Sequence, residues 1–129
     1  KQDFINAYVN IFSPLRENID LVKRLKTDYK LALLSNTNEL HFEQCIKKTE
    51  IFDLFDAVIL SYKEKATKPE RKIYQTALTK LNLTADECVF IDDKITNVNG
   101  AREAGITSIQ YVDHTDLVKK LQELGVKVY

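Results

Sequence analysis

Short, wholly apolar runs alternate along the chain with stretches in which apolar residues recur every three or four positions. Phe4, Ile5, Tyr8, Val9 and Phe12 fall at helical spacing and predict an amphipathic helix over about residues 3–12. Ser13 and Pro14 end it, and Ile19, Val22 and Leu25 then predict a second helix to about Lys26. Residues 30–35 form a short apolar run bounded by polar positions, which reads as a buried strand. Asn36, Thr37 and Asn38 follow as a polar turn, with Asn38 placed to cap a helix to about Lys48.

The alternation then repeats. Residues 57–61 are strand-like, and Ile73, Ala77, Leu78 and Leu81 share one face of a helix over residues 70–81. Thr84 and Glu87 have the spacing of a capping box, and residues 88–92 form another buried strand. A helix over 96–104 stops at Gly105, a strand follows over 107–112, and a helix over 115–124 stops at Gly125. Residues 126–128 suit a final edge strand. Strand and helix in this rhythm predict an α/β fold, a doubly wound parallel sheet covered on both faces. Right-handed crossovers bring the C-terminal ends of all strands to one edge, where such sheets bind ligands.

Composition narrows the choice of ligand. The 129 residues, 14.9 kDa, fit one domain. Nineteen Lys and Arg balance nineteen Asp and Glu, which argues against a nucleic-acid or anionic-membrane partner. No apolar run is long enough to span a bilayer. All three glycines lie from Gly100 onward, so no glycine-rich nucleotide loop is present. Two cysteines, Cys45 and Cys88, are too few for a disulfide framework and suit a reducing cytoplasm. The sequence contains no Met and opens with Lys1, which leads us to expect a piece of a longer protein.

Three strand ends carry polar groups suited to chemistry. Ser35 and Asn36 lie ahead of a helix N-terminus, whose free N–H groups and dipole favour an anion. Lys68 precedes Pro69, which presets the start of the next helix and gives the lysine a defined direction. Asp92 and Asp93 are adjacent carboxylates at the end of an apolar strand, an arrangement that needs a cation or hydrogen bonds. Oxygen donors of this kind suit Mg²⁺, with Asn97 in reach to steady a carboxylate or the loop. His41 and Cys45 lie four apart on a predicted helix, but a packing or surface role outweighs metal ligation. His114, Lys47, Lys48, Lys119 and Lys120 read as solvated helix ends.

The order of these features resembles the haloacid dehalogenase-like hydrolases, a superfamily with a Rossmann-like core. The resemblance rests on Ser35-Asn36, then Ser61, Lys68-Pro69 and Tyr74, then Asp92-Asp93, Asn97, Gly100, Arg102 and Gly105, within about residues 13–112. It implies hydrolysis of a small phosphorylated substrate, with an Asp of an Asp-x-Asp motif on the first strand forming a covalent intermediate that water releases. By resemblance, Ser35 and Asn36 hold the phosphoryl oxygens and Lys68 neutralises nucleophile and transferring group. Asp93 ligates Mg²⁺ directly and Asp92 acts mainly through a bound water.

One departure stands out. No Asp-x-Asp strand precedes Ser35, and Asp3 opens a predicted helix. Residues 1–14 then read as the remnant of a small helical cap or linker, and 15–129 as a core lacking its first strand. The resemblance implies that this strand lies between the strands ending at Ser35 and Asp92, so a central vacancy is expected. Closure of the two edges, a retained N-terminal piece, a homodimer or strand exchange would each relieve it. The expected parent is a Mg²⁺-dependent phosphatase, with this chain inactive and its own Mg²⁺ binding weak or absent. A non-catalytic binding or regulatory protein is the alternative from another class. A haloacid dehalogenase would be poorly served by the acidic pair, and a phospho-receiver domain would carry that pair on its first strand.

Overall fold

The two most apolar runs become strands buried along their whole length in the computed structural model, which describes residues 6–9, 16–43, 47 and 52–129. They are β2 (Leu31–Ser35) and β4 (Cys88–Asp92). Successive side chains of a strand point to opposite faces. Leu31, Val89 and Ile91 enter one core cluster, whereas Ala32, Leu34, Cys88 and Phe90 enter another. Both faces are covered, which is why these strands are apolar throughout rather than alternating. The more exposed β3 (Ala57–Leu60) and β5 (Thr107–Gln110) form the sheet's edges.

At the centre lies β1 (Asn6–Val9), giving the order β3-β2-β1-β4-β5 with every pairing parallel. Ala7 and Tyr8 align with Leu31 and Ala32, and the whole of β1 aligns with Cys88 to Ile91. This replaces the helix predicted over residues 3–12, and the segment read as a cap remnant supplies four residues to the sheet. The position expected to stand empty is filled by the chain itself, so the sheet presents no central gap for a second copy to enter. The cause is tertiary. Tyr8 and Val9 suit a strand, and two buried strands with open hydrogen-bonding edges reward an extended segment more than local helical spacing does.

Helices α1 (Arg16–Asp28) and α6 (His114–Glu123) cover one face through Leu21, Val22, Leu25, Leu117 and Leu121. On the other face lie α4 (Arg71–Leu81) and α5 (Ile95–Glu103), burying Ile73, Tyr74, Ala77 and Ala101. Two short helices, α2 (Glu39–His41) and α3 (Ser61–Glu64), follow β2 and β3. Of the helix predicted from Asn38 to Lys48, residues 44–46 and 48, Cys45 included, lie outside the described residues, as does the side chain of His41. The edge strand expected over 126–128 does not form. Val126 and Val128 pack into the α1–α6 core, and the Lys127 N–H donates to the Tyr29 hydroxyl at 3.0 Å, so side chains anchor this tail. The capping box at Thr84 and Glu87 is present, and Gly105 (φ +87°) closes α5 in the left-handed conformation. Among the described residues, no helix is long and apolar enough to cross a membrane.

Candidate active site

Parallel topology sets Ser35 and Asp92 at the same edge, as the last residues of β2 and β4 on either side of β1. Two strand spacings put those ends roughly 9–10 Å apart. Lys68 comes to this edge from the loop between α3 and α4 and donates to Asp92 Oδ2 at 2.7 Å. Their side chains are 3% and 1% exposed. Lys63, Lys65 and Lys72, its neighbours in sequence, are exposed, and Lys63 lies over the Phe42 and Tyr62 rings.

Asp92 is held from several directions. Its Oδ2 also accepts from Asn97 Nδ2 at 3.2 Å, and its Oδ1 accepts from the Lys94 N–H at 2.9 Å where α5 begins. The Lys68 ammonium sits 5.9 Å from the centre of the Phe90 ring, which packs edge-on against Tyr74. Burial pushes Lys68 below its ordinary value, opposed by the charges of Asp92 and Asp93. The Tyr74 phenol is pushed up, first by burial and then by the charge of Asp92. Its hydroxyl donates to the Asn97 carbonyl at 2.7 Å, tying α4 to the helix that carries Asn97.

A second set of contacts fixes the loop after β2. Asn36 Nδ2 donates to the Lys68 carbonyl at 3.1 Å, and the Lys68 N–H donates to Asn36 Oδ1 at 2.9 Å. Ser61 Oγ accepts from the Thr37 N–H at 2.8 Å and donates to the Thr37 carbonyl at 2.9 Å. Gly100 faces Pro69 so closely that a Cβ there would lie 2.7 Å from the proline's Cβ and 2.8 Å from its carbonyl oxygen.

The structure therefore gathers Ser35, Asn36, Lys68, Asp92, Asp93 and Asn97 at one edge, but in unequal roles. Ser35, Lys68, Asp92 and Asn97 are buried, whereas Asp93 faces solvent. Three supporting residues were not singled out for chemistry: Ser61, Tyr74 and Gly100. Tyr74 lies in a buried helical stripe, where a phenol needs a hydrogen-bond partner. Gly100 lies inside a helix, where its conformational cost points to a close approach.

Asp92 and Asp93 supply the oxygen donors that Mg²⁺ takes when one or two carboxylates, waters and a phosphate complete its shell. Asp93 is open to solvent and directly follows Asp92 at the end of β4, so the two carboxylates are of the donor type that such an ion takes. No cluster of three His, Cys, Asp or Glu occurs among the described residues, and a site of this kind relies on the phosphate for further oxygens.

Comparison with known proteins identifies the family. Residues 2–111 match the haloacid dehalogenase-like hydrolase family. The chain is 30% identical over 86 residues to the sesquiterpene phosphatase astK of Aspergillus oryzae, covering 67% of this chain and 40% of that protein. It is 29% identical over 101 residues to the phosphorylated carbohydrates phosphatase of Thermotoga maritima, covering 78% and 46%. The chain thus spans less than half the length of these relatives. Among solved structures, a magnesium complex of an enzyme of this family from Bacteroides thetaiotaomicron superposes with a TM-score of 0.73 at 30% identity, over 86% of this chain and 59% of that one.

Proposed function

The chain belongs to the haloacid dehalogenase-like hydrolases, and from that premise we propose that it carries the phosphate- and metal-binding edge of a Mg²⁺-dependent phosphatase of small phosphorylated metabolites. The observation that carries the proposal is the buried Lys68–Asp92 pair at the C-terminal edge of the sheet, across β1 from Ser35. Its relatives among phosphatases support this reading. Lys68 offers further N–H donors to a phosphoryl oxygen, and Ser35 offers a hydroxyl from the facing strand end. In a dry site such donors favour the charge that builds on the transferring group. Asp93 would hold Mg²⁺ directly and Asp92 through a water, with Asn97 steadying Asp92. The metal, when bound, would offset the negative charge of the phosphate.

The family's chemistry displaces the ester oxygen with an Asp carboxylate and then frees phosphate from the aspartyl-phosphate with water. Residues 4–16, which include β1, contain no carboxylate. We therefore propose that this chain alone does not turn over phosphate esters, and the second reading is a non-catalytic binding or regulatory protein. Its two cysteines suit a reducing cytoplasm as the place of action. Hydrolysis of p-nitrophenyl phosphate with Mg²⁺ is expected to stay at background, because loss of a covalent nucleophile costs several orders of magnitude. Saturable, Mg²⁺-dependent hydrolysis that disappears in Lys68→Met would contradict this.

A further inference from the structure

The resemblance assigns Asn36 to the phosphate, but its side chain is engaged elsewhere. Both ends of its carboxamide pair with the Lys68 peptide unit: Nδ2 donates to the carbonyl at 3.1 Å and Oδ1 accepts the N–H at 2.9 Å. We infer that Asn36 is a positioning residue that sets the direction of Lys68, rather than a group that holds the phosphate with its side-chain amide. The inference rests on the proposed phosphate site for its consequence, but not for its geometry.

Lys68 lies on a loop, and its ammonium has to reach Asp92 Oδ2 at the end of a strand. A loop backbone does not by itself aim a four-carbon side chain, so the anchor must come from a neighbouring element. Asn36 follows the last residue of β2 directly, so the strand places it. Ser61 in turn holds Thr37 by two bonds to its backbone, linking this turn to the end of β3. On the opposite side, the close approach of Gly100 to Pro69 packs α5 against the same turn. The Lys68–Pro69 unit is thus held between β2 and α5. The carboxamide is the group that matches a peptide unit with one donor and one acceptor. Aspartate keeps the acceptor, loses the donor and sets a carboxylate oxygen against the Lys68 carbonyl.

The test compares wild type, Asn36→Ala and Asn36→Asp by following the Lys68 Cε–Hε NMR resonance, assigned through bonds, at one fixed pH. Affinity for inorganic phosphate with Mg²⁺ is measured in parallel by titration calorimetry. The expected result is a displaced Lys68 resonance in both variants before phosphate is added, with phosphate affinity reduced on the order of tenfold. General destabilisation would lower the melting temperature while leaving the native Lys68 resonance in place, and that result would overturn the inference. So would an affinity loss with the resonance unmoved, which would make Asn36 a direct phosphate ligand. If Asn36→Ala does not fold, Asn36→Asp carries the comparison. A wild type that binds no phosphate, yet whose Lys68 resonance moves in the variants, would support the positioning role and count against the proposed function alone.

Discussion

An ammonium group taken out of water costs several kcal/mol unless a partner compensates it, and at Lys68 that partner is Asp92. Removing one member strands the other. Lys68→Met is therefore expected to destabilise the fold by about 3–5 kcal/mol in urea unfolding, whereas Lys68→Met combined with Asp92→Leu should recover part of the loss. Simple addition of the two single losses would contradict a coupled pair. Asp56 shows the same physics in a more exposed setting. Burial alone would raise its carboxyl, but Lys26 Nζ at 2.7 Å and the Leu31 N–H at 2.8 Å hold it below its ordinary value of 3.8. A depressed carboxyl stabilises the fold above that ordinary value and loses the effect as pH falls through the folded one. The stability gap between wild type and Asp56→Asn, present at neutral pH, should thus shrink below about pH 4. A gap that widened on acidification would contradict this. The sequence announced Asp92 and Asp93 as a pair, but Asp93 lies in the bend just past the end of β4, where strand alternation does not say which way it faces. That Asp92 turns inward to Lys68 and Asp93 outward depends on α5 and the Lys68 loop, which no local pattern reveals.

At the scale of elements, periodicity was most informative where burial is complete. The runs of β2 and β4 and the stripe of α4 were legible because their partners cover them on every side that the pattern predicts. It failed at β1 and at residues 126–128, where a neighbour's needs decide the conformation. In β1, two strand edges seek hydrogen bonds. In the tail, the Tyr29 hydroxyl and the α1–α6 core take the place of a ladder. The α5 helix illustrates a further constraint. Alanine ordinarily favours a helix over glycine by about 1 kcal/mol. At Gly100 the added Cβ would lie 2.7 Å from Pro69, and overpacking of this kind costs about 1–3 kcal/mol. Gly100→Ala should therefore lower both thermal stability and phosphate affinity. A stabilised variant with unchanged affinity would show that α5 does not brace the Lys68 loop.

For the whole molecule, the strand order β3-β2-β1-β4-β5 gives the site its location. The chain runs outward from β1 to β3, then crosses back to β4, and open α/β sheets bind ligands outside the strand ends on either side of such a reversal. The alternating pattern made the doubly wound parallel sheet legible but not its order, because residues 3–12 read as a helix. The formal net charge of zero argued only against nucleic-acid and anionic-membrane partners. A rival location exists in the groove of about 270 Å³ between α1, α6 and the tail, lined by residues such as Asp20, His114 and Val118. Titration of ¹⁵N-labelled wild-type protein with inorganic phosphate and Mg²⁺, followed amide by amide, separates the two. Saturable shifts at Ser35, Asn36, Thr37, Lys68 and Lys94 would place the anion at the Lys68–Asp92 edge, as the account predicts. Shifts centred on Asp20, His114 and Val118, or none at millimolar phosphate, would contradict it.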